Sequence, residues 1–232
     1  INLGSFSAFS NSDEEIFTLI NDSYQQDELY FRVKIFDYME NNHSWRPSSS
    51  YYLFNKFRDS FKIKENTDLN SSYYIILEPY KKKWIPSLKN SKIRTDNIKI
   101  TKDLFNETFI SREIVDRKKQ ITFNKVKTVF YLGDEIKNYY TLIPENISNK
   151  LKLWVKNNNT SSHSEFIKKI NKRFSDGSYY YNLSPKNVSL NNYENFFFNE
   201  KEGYCEYYAG TFVLLARLAG IPSRIVTGYH GG

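Results

Sequence analysis

A chain of 232 residues, 40% hydrophobic and 25% charged with a net charge of +7, is long enough to bury a core without disulfide staples, as one large domain or two small ones. A single cysteine and 9 glycines exclude a disulfide scaffold and a collagen-like chain, and the positive balance excludes an acidic disordered one. Three Trp, 19 Tyr and 18 Phe suit a folded, strand-rich chain.

Residues 1–142 read as a β-rich domain. Leu29, Phe31, Val33 and Ile35 alternate with Tyr30, Arg32, Lys34 and Phe36, the period of a strand. Tyr73 to Leu77 is a compact β-branched and aromatic run closed by Glu78 and Pro79. Ile121 to Leu132 reads as a longer strand with broken alternation. Polar Asn- and Ser-rich stretches, Asn41 to Ser50 and Glu65 to Ser72, read as loops.

From Pro144 the pattern becomes helical, and residues 143–232 form the second domain. Ile147, Leu151 and Trp154 share one helix face. After a polar break, Ser162 and Glu165 fit a capping box. Phe166, Ile167, Ile170 and Phe174 line the next helix, which Asp176 and Gly177 stop. Glu194 to Asn199, with three phenylalanines, reads as a short buried strand or turn. A helix starts at Cys205, with Ala209, Phe212, Ala216 and Ala219 on one face. Gly220 caps it and Pro222 prevents its continuation. Arg224 to Thr227 reads as a strand, and Gly228 to Gly232 as a turn.

No apolar run approaches the ~20 residues of a spanning helix; Phe212 to Ala216 is ended by Arg217. The N-terminus lacks the basic segment and apolar core of a signal peptide. Because it begins at Ile1, the chain is expected to be cut from a larger protein whose membrane anchor lies elsewhere.

Cys205 follows Gly203 and Tyr204 at a helix start. A free thiol is mostly protonated at neutral pH. The first turn of a helix offers unpaired N–H groups and a partial positive charge, which stabilise a thiolate and can hold an oxyanion during acyl transfer. A glycine before the helix lets a substrate backbone approach. On the residues alone, a small buried structural cysteine is the plainer reading, and both stay open.

The run Glu202-Gly203-Tyr204-Cys205-Glu206-Tyr207-Tyr208-Ala209, with Leu215-Ala216-Arg217-Leu218-Ala219-Gly220-Ile221-Pro222-Ser223-Arg224-Ile225-Val226-Thr227-Gly228-Tyr229, resembles the transglutaminase-like superfamily. Its pattern is G-x-C, a helix, then R-x-x-G-I-P-x-R-x-V-x-G-Y. The flanks Asn195-Phe196-Phe197-Phe198 and Gly228-Tyr229-His230-Gly231-Gly232 resemble the bacterial, membrane-anchored TgpA-type group. So, more weakly, do Tyr179 to Pro185, Leu29-Tyr30-Phe31-Arg32 with Trp45, and Leu77-Glu78-Pro79 with Trp84.

The resemblance implies an α+β fold: a β-rich N-terminal domain, then the helical N-terminal half of a papain-like transglutaminase core. It implies Cys205 as the nucleophile of a Cys-His-Asp triad, attacking a glutamine carboxamide or peptide carbonyl to give a thioester that an amine or water resolves. The substrate is then a protein or peptide, with an amine as a possible acceptor, at the periplasmic face of the bacterial inner membrane. The alternatives are a non-catalytic module of the same fold and a peptidase or amidase acting on cell-wall peptides. The family's His and Asp follow the G-Y-x-G-G turn and have no matching positions, so the chain alone is expected to be inactive. Tyr207 stands where the group usually has His.

Gly203, Tyr204 and Glu206 are the supporting site residues. Tyr204 is expected in core packing rather than in a groove wall, and Glu206 as a charge favouring the helix N-terminus. Arg217 and Arg224 are expected to form ion pairs holding helix to strand. His43 reads as a surface loop residue, His163 as solvated at a helix start, and His230 as part of a glycine turn. These histidines and one cysteine do not make a metal site, and no cofactor is implied. Lys81-Lys82-Lys83 and Arg117-Lys118-Lys119 belong to no nucleic-acid motif. The excess charge better fits an anionic membrane surface or wall polymer.

Overall fold

The structure, a computed structural model, describes residues 14–20, 29–94, 99–185 and 192–230. In chain order its elements are β1 (Phe17–Ile20), β2 (Tyr30–Phe36), β3 (Tyr38–Met39), β4 (Trp45–Arg46), α1 (Ser50–Phe57), β5 (Phe61–Leu77), β6 (Trp84–Ile85) and β7 (Ser91–Ile93). There follow β8 (Ile100–Asp103), β9 (Thr108–Ser111), β10 (Lys119–Leu132), α2 (Asp134–Tyr139), α3 (Asn149–Asn158), α4 (His163–Phe174), β11 (Tyr180–Tyr181), α5 (Tyr193–Asn195), β12 (Glu202–Gly203), α6 (Cys205–Leu218) and β13 (Ile225–His230). The fold is α+β, strands first and helices after.

Contacts divide the chain into two compact units. One takes in Phe36–Ser48 and Asp134–Ile225; the other takes in Asp13–Ile35, Ser49–Gly133 and Val226–Gly232.

In the strand-rich unit, an antiparallel sheet runs β1-β5-β10-β7, and β6-β9-β8 make a second. The long β5–β10 ladder pairs Leu77 with Lys119 at one end and Phe61 with Leu132 at the other. Phe31, Tyr73, Ile75, Leu77, Ile121 and Phe123 are buried together. Tyr73 stacks on Phe123 with ring centroids 4.9 Å apart. Its hydroxyl is satisfied inside the core by the Leu88 N–H at 2.9 Å and by Ser91 Oγ at 2.7 Å, as a buried phenol requires.

Three readings are corrected here. Residues 65–72 belong to β5 rather than to a loop. Their polar composition hides backbone pairing, with Glu65 opposite Thr128 and Ser72 opposite Asn124, and the register shifts between Asn124 and Val126. A helix, α1, interrupts the β-rich part, because Leu53 and Phe57, one turn apart, are both buried. The turn expected from Gly228 is strand: β13 continues to His230 and pairs with β2. A Cβ on Gly228 would lie 1.7 Å from the Phe31 carbonyl oxygen, so this glycine permits close strand approach.

In the helical unit, Ser148 caps α3, its Oγ accepting from the N–H groups of Lys150 (3.1 Å) and Leu151 (3.4 Å). Ser162 Oγ accepts the Glu165 N–H at 3.4 Å at the start of α4, as the capping pattern predicts. Ile147, Leu151, Val155, Phe166 and Ile170 pack with Leu214 and Leu215 of α6 in one core. Each such side chain contributes about 2 kcal/mol by leaving water. Residues 194–199 are not a strand: α5 runs into a π-helical turn, Phe196–Glu200, that buries Phe196 and Phe197 and ends at Lys201 with φ +53°.

On α6, Ala216 is fully buried and Ala209, Phe212 and Ala219 are half-buried against the same core, while Gly210, Thr211, Leu214 and Arg217 are covered as well. Gly220, at φ +76°, takes the left-handed conformation that ends a helix.

Candidate active site

Two short parallel strands set up the site. Tyr180 and Tyr181 of β11 pair with Glu202 and Gly203 of β12. The Tyr180 N–H donates to the Lys201 carbonyl at 2.8 Å, and the Asn182 N–H to the Gly203 carbonyl at 2.9 Å. This brings Tyr181 beside the first turn of α6. Gly203 must be glycine for packing: a Cβ there would lie 2.8 Å from Cγ and Cδ2 of Tyr207.

Cys205 is solvent-exposed. The cap position, Tyr204, has extended backbone and no side-chain cap bond. The first N–H groups are therefore left for other acceptors, and those of Cys205 and Glu206 pull the thiol's titration down, as does the Tyr181 hydroxyl. The net effect is nonetheless upward: desolvation by the surrounding protein is the largest influence, and the Glu206 charge adds to it. The helix start pulls this thiol down, and desolvation outweighs it. None of the dominant influences on it is a histidine.

Glu206 is 7% exposed. Its charge raises the phenols of Tyr193, Tyr204 and Tyr207, each already raised by burial; Tyr207 is pushed up to about 12. Tyr204 and Tyr207 are buried edge to face, centroids 5.0 Å apart. Glu206 thus sits inside a buried layer of tyrosines beneath the exposed sulfur.

Arg217 does not act as expected. It is 3% exposed, and its guanidinium donates to the backbone carbonyls of Ser223 (2.6 and 2.9 Å), Leu142 (2.8 Å) and Asp37 (2.7 Å). It also lies 4.9 Å over the Trp45 ring. Burial lowers it to about 10, against the attraction of Asp37. The loop after α6 is thus fastened through carbonyl oxygens. Arg224 stacks on Tyr140 at 5.4 Å.

His43 is half-buried rather than a surface residue. It lines a cavity of about 360 Å³ with Asn146, Ser148, Tyr193 and Glu194. His163 is exposed at the start of α4. His230 ends β13 with its ring 4.5 Å from that of Tyr30. Among the described residues no group of three or more His, Cys, Asp or Glu could hold a metal ion, and no helix is long and apolar enough to cross a membrane. The sequence reading did not find Tyr181 as a neighbour of the thiol or Asp37 as a neighbour of Arg217; both meetings are long-range.

An exposed thiol thus stands on the first turn of a largely buried helix. Residues 151–232 match the transglutaminase-like superfamily, and residues 1–124 match the TgpA N-terminal domain. The chain belongs to the TgpA family of transglutaminase-like proteins. A protein-glutamine gamma-glutamyltransferase of Pseudomonas aeruginosa is 38% identical over 60 residues, which is 26% of this chain and 9% of that protein. The crystal structure of the periplasmic domain of TgpA from Pseudomonas aeruginosa superposes with a TM-score of 0.81 at 17% identity, covering 100% of this chain and 80% of that one. The ethylmercury-bound structure of the same domain gives 0.80 at 17% identity, covering 99% and 81%.

Proposed function

We propose that the full-length protein is a thiol acyltransferase of the protein-glutamine gamma-glutamyltransferase type, acting outside the cytoplasmic membrane of a bacterium. Cys205 attacks a glutamine carboxamide or peptide carbonyl, and an amine or water resolves the thioester. The observation that carries this is the position of Cys205: exposed, on the first turn of α6, with its own N–H and that of Glu206 favouring the sulfur anion. The base is a histidine oriented by an aspartate, both following the Gly228 strand in the family pattern. This chain by itself is then inactive, because neither the histidine nor the aspartate of the family pattern has a matching position in it. Likeness to a periplasmic domain supports an extracytoplasmic site; attachment to the inner membrane is part of the proposal and comes from the family resemblance alone.

The test is incorporation of a fluorescent primary amine into a glutamine-bearing protein by the full-length protein, beside its Cys205→Ala variant. Incorporation that disappears with Cys205→Ala supports the proposal; equal incorporation, or none by either, overturns it. A second reading, a non-catalytic binding module, is favoured by one observation: Tyr207, at the position where the group usually has His, is buried against Gly203.

A further inference from the structure

The cavity of about 360 Å³ beside His43 lies wholly within the helical unit. Its floor is apolar: Ile147, Leu151 and Leu214 line it and are buried. Its rim is built of acceptors. The Ser148 hydroxyl donates to Glu194 Oε2, which fixes that carboxylate at the start of α3 and leaves Oε1 without a partner among the described residues. Asn146 Nδ2 donates to the Asn41 carbonyl at 2.8 Å, which leaves its Oδ1 in the same condition. His43 Nε2 is buried and has no hydrogen-bond partner, although native folds rarely leave a buried ring nitrogen unpaired. The main chain holds His43 in place: its N–H donates to the Glu40 carbonyl at 2.8 Å, and its carbonyl accepts the Tyr193 hydroxyl at 3.2 Å.

We propose that this cavity binds an alkylammonium ion. Its lining holds one carboxylate and no lysine or arginine, so its charge selects a cation. With a single carboxylate and a single imidazole it falls short of the ligand set of a metal ion. An ammonium group carries three N–H donors. These pair with Glu194 Oε1, Asn146 Oδ1 and His43 Nε2, the ring proton of His43 then resting on Nδ1. The aliphatic chain lies over Ile147, Leu151 and Leu214 and leaves water as it binds. Leu214 follows Cys205 by nine residues on α6, about 13 Å along the helix axis. The site is therefore separate from the thiol, and the inference does not rest on the reading of Cys205.

The test titrates this chain with n-butylamine hydrochloride at pH 8 and follows the ring nitrogens of His43 by NMR, their signals assigned with His43→Gln. A saturable shift of Nε2 is expected, with a midpoint of about 10 mM. Glu194→Gln, whose amide oxygen still accepts the Ser148 hydroxyl, should raise that midpoint about tenfold. Glu165→Gln, which neutralises an exposed carboxylate on α4, should leave it in place, and so should Cys205→Ala. Tetramethylammonium chloride has the charge without the N–H donors and should give no saturable shift. The proposal is overturned by a wild type that shows no saturable shift, by a midpoint indifferent to Glu194→Gln, by an equal response to tetramethylammonium, or by loss of the shift in Cys205→Ala. A parallel titration with Nα-acetyl-lysine methylamide identifies the source of the ammonium group. Tighter binding than butylamine supports the proposal with a lysine side chain of another protein as the natural ligand; weaker binding supports it with a free amine.

Discussion

Gly203 and Tyr207 are fitted to one another: the space a Cβ on Gly203 would take lies 2.8 Å from two ring carbons of Tyr207 and 3.0 Å from its Cβ. Those atoms are the rigid root of a buried side chain, so they cannot yield cheaply. The glycine two residues before Cys205 is therefore dictated by the helix residue two positions after it.

Gly203→Ala should accordingly cost about 1–3 kcal/mol in stability and displace the start of α6. Urea unfolding monitored by circular dichroism measures the first, and the iodoacetamide rate at Cys205 the second. A variant with wild-type stability and wild-type thiol reactivity would contradict the fit.

Glu206 raises the Cys205 thiol through its charge. Glu206→Gln should lower the thiol's titration midpoint and speed alkylation at pH 8 by roughly two- to fivefold. Stopped-flow alkylation across pH reads this directly. A slower reaction would mean that Glu206 acts on the thiol through structure rather than through charge.

Asp37 supplies a pH dependence. Burial holds its carboxyl above the ordinary 3.8, although the Ser48 hydrogen bonds, Arg217 and Arg224 all pull it down. The folded state therefore binds this proton more tightly than the unfolded one. Its contribution is fully present below pH 3.8 and is lost as pH rises through the folded value. Asp37→Asn keeps an acceptor for the Ser48 N–H, 2.7 Å from Oδ1, and cannot titrate. The stability of the wild type should thus fall relative to Asp37→Asn between pH 4 and pH 7. Denaturant midpoints for both proteins across that range test the sign; a wild-type advantage that grows with pH would reverse it.

Gly228→Ala should be among the most damaging small substitutions in the strand-rich unit. Its new methyl would meet the Phe31 carbonyl oxygen at 1.7 Å, forcing β13 off β2, with a cost of about 3 kcal/mol or more. Thermal unfolding measures it. Gly177→Ala is the control: nothing lies within 4 Å of its Cβ position, so its cost is limited to the strain of a side chain at φ +84°.

Much of this was legible in the residues because it is local. The cap at Ser162, the stop at Gly220, the strand from Tyr30 to Phe36 and the helix opening at Cys205 each depend on neighbours within a turn or two, and the motif around Cys205 carried the family. What failed depended on partners far along the chain. Polar residues 65–72 look like a loop until β10 is placed beside them. Gly228 looks like a turn until β2 approaches.

The sequence by itself determined a β-rich first part followed by helices, the family, and a cysteine on the first turn of a helix. These follow from side-chain periodicity, capping and a long contiguous motif. Only the tertiary structure decided what surrounds that cysteine. The Tyr181 hydroxyl and the N–H groups of α6 pull its thiol down, while desolvation and the charge of Glu206, buried among tyrosines, push it up. The reason is physical: desolvation and charge act through space, and their balance at one sulfur is fixed by residues that chain order keeps apart.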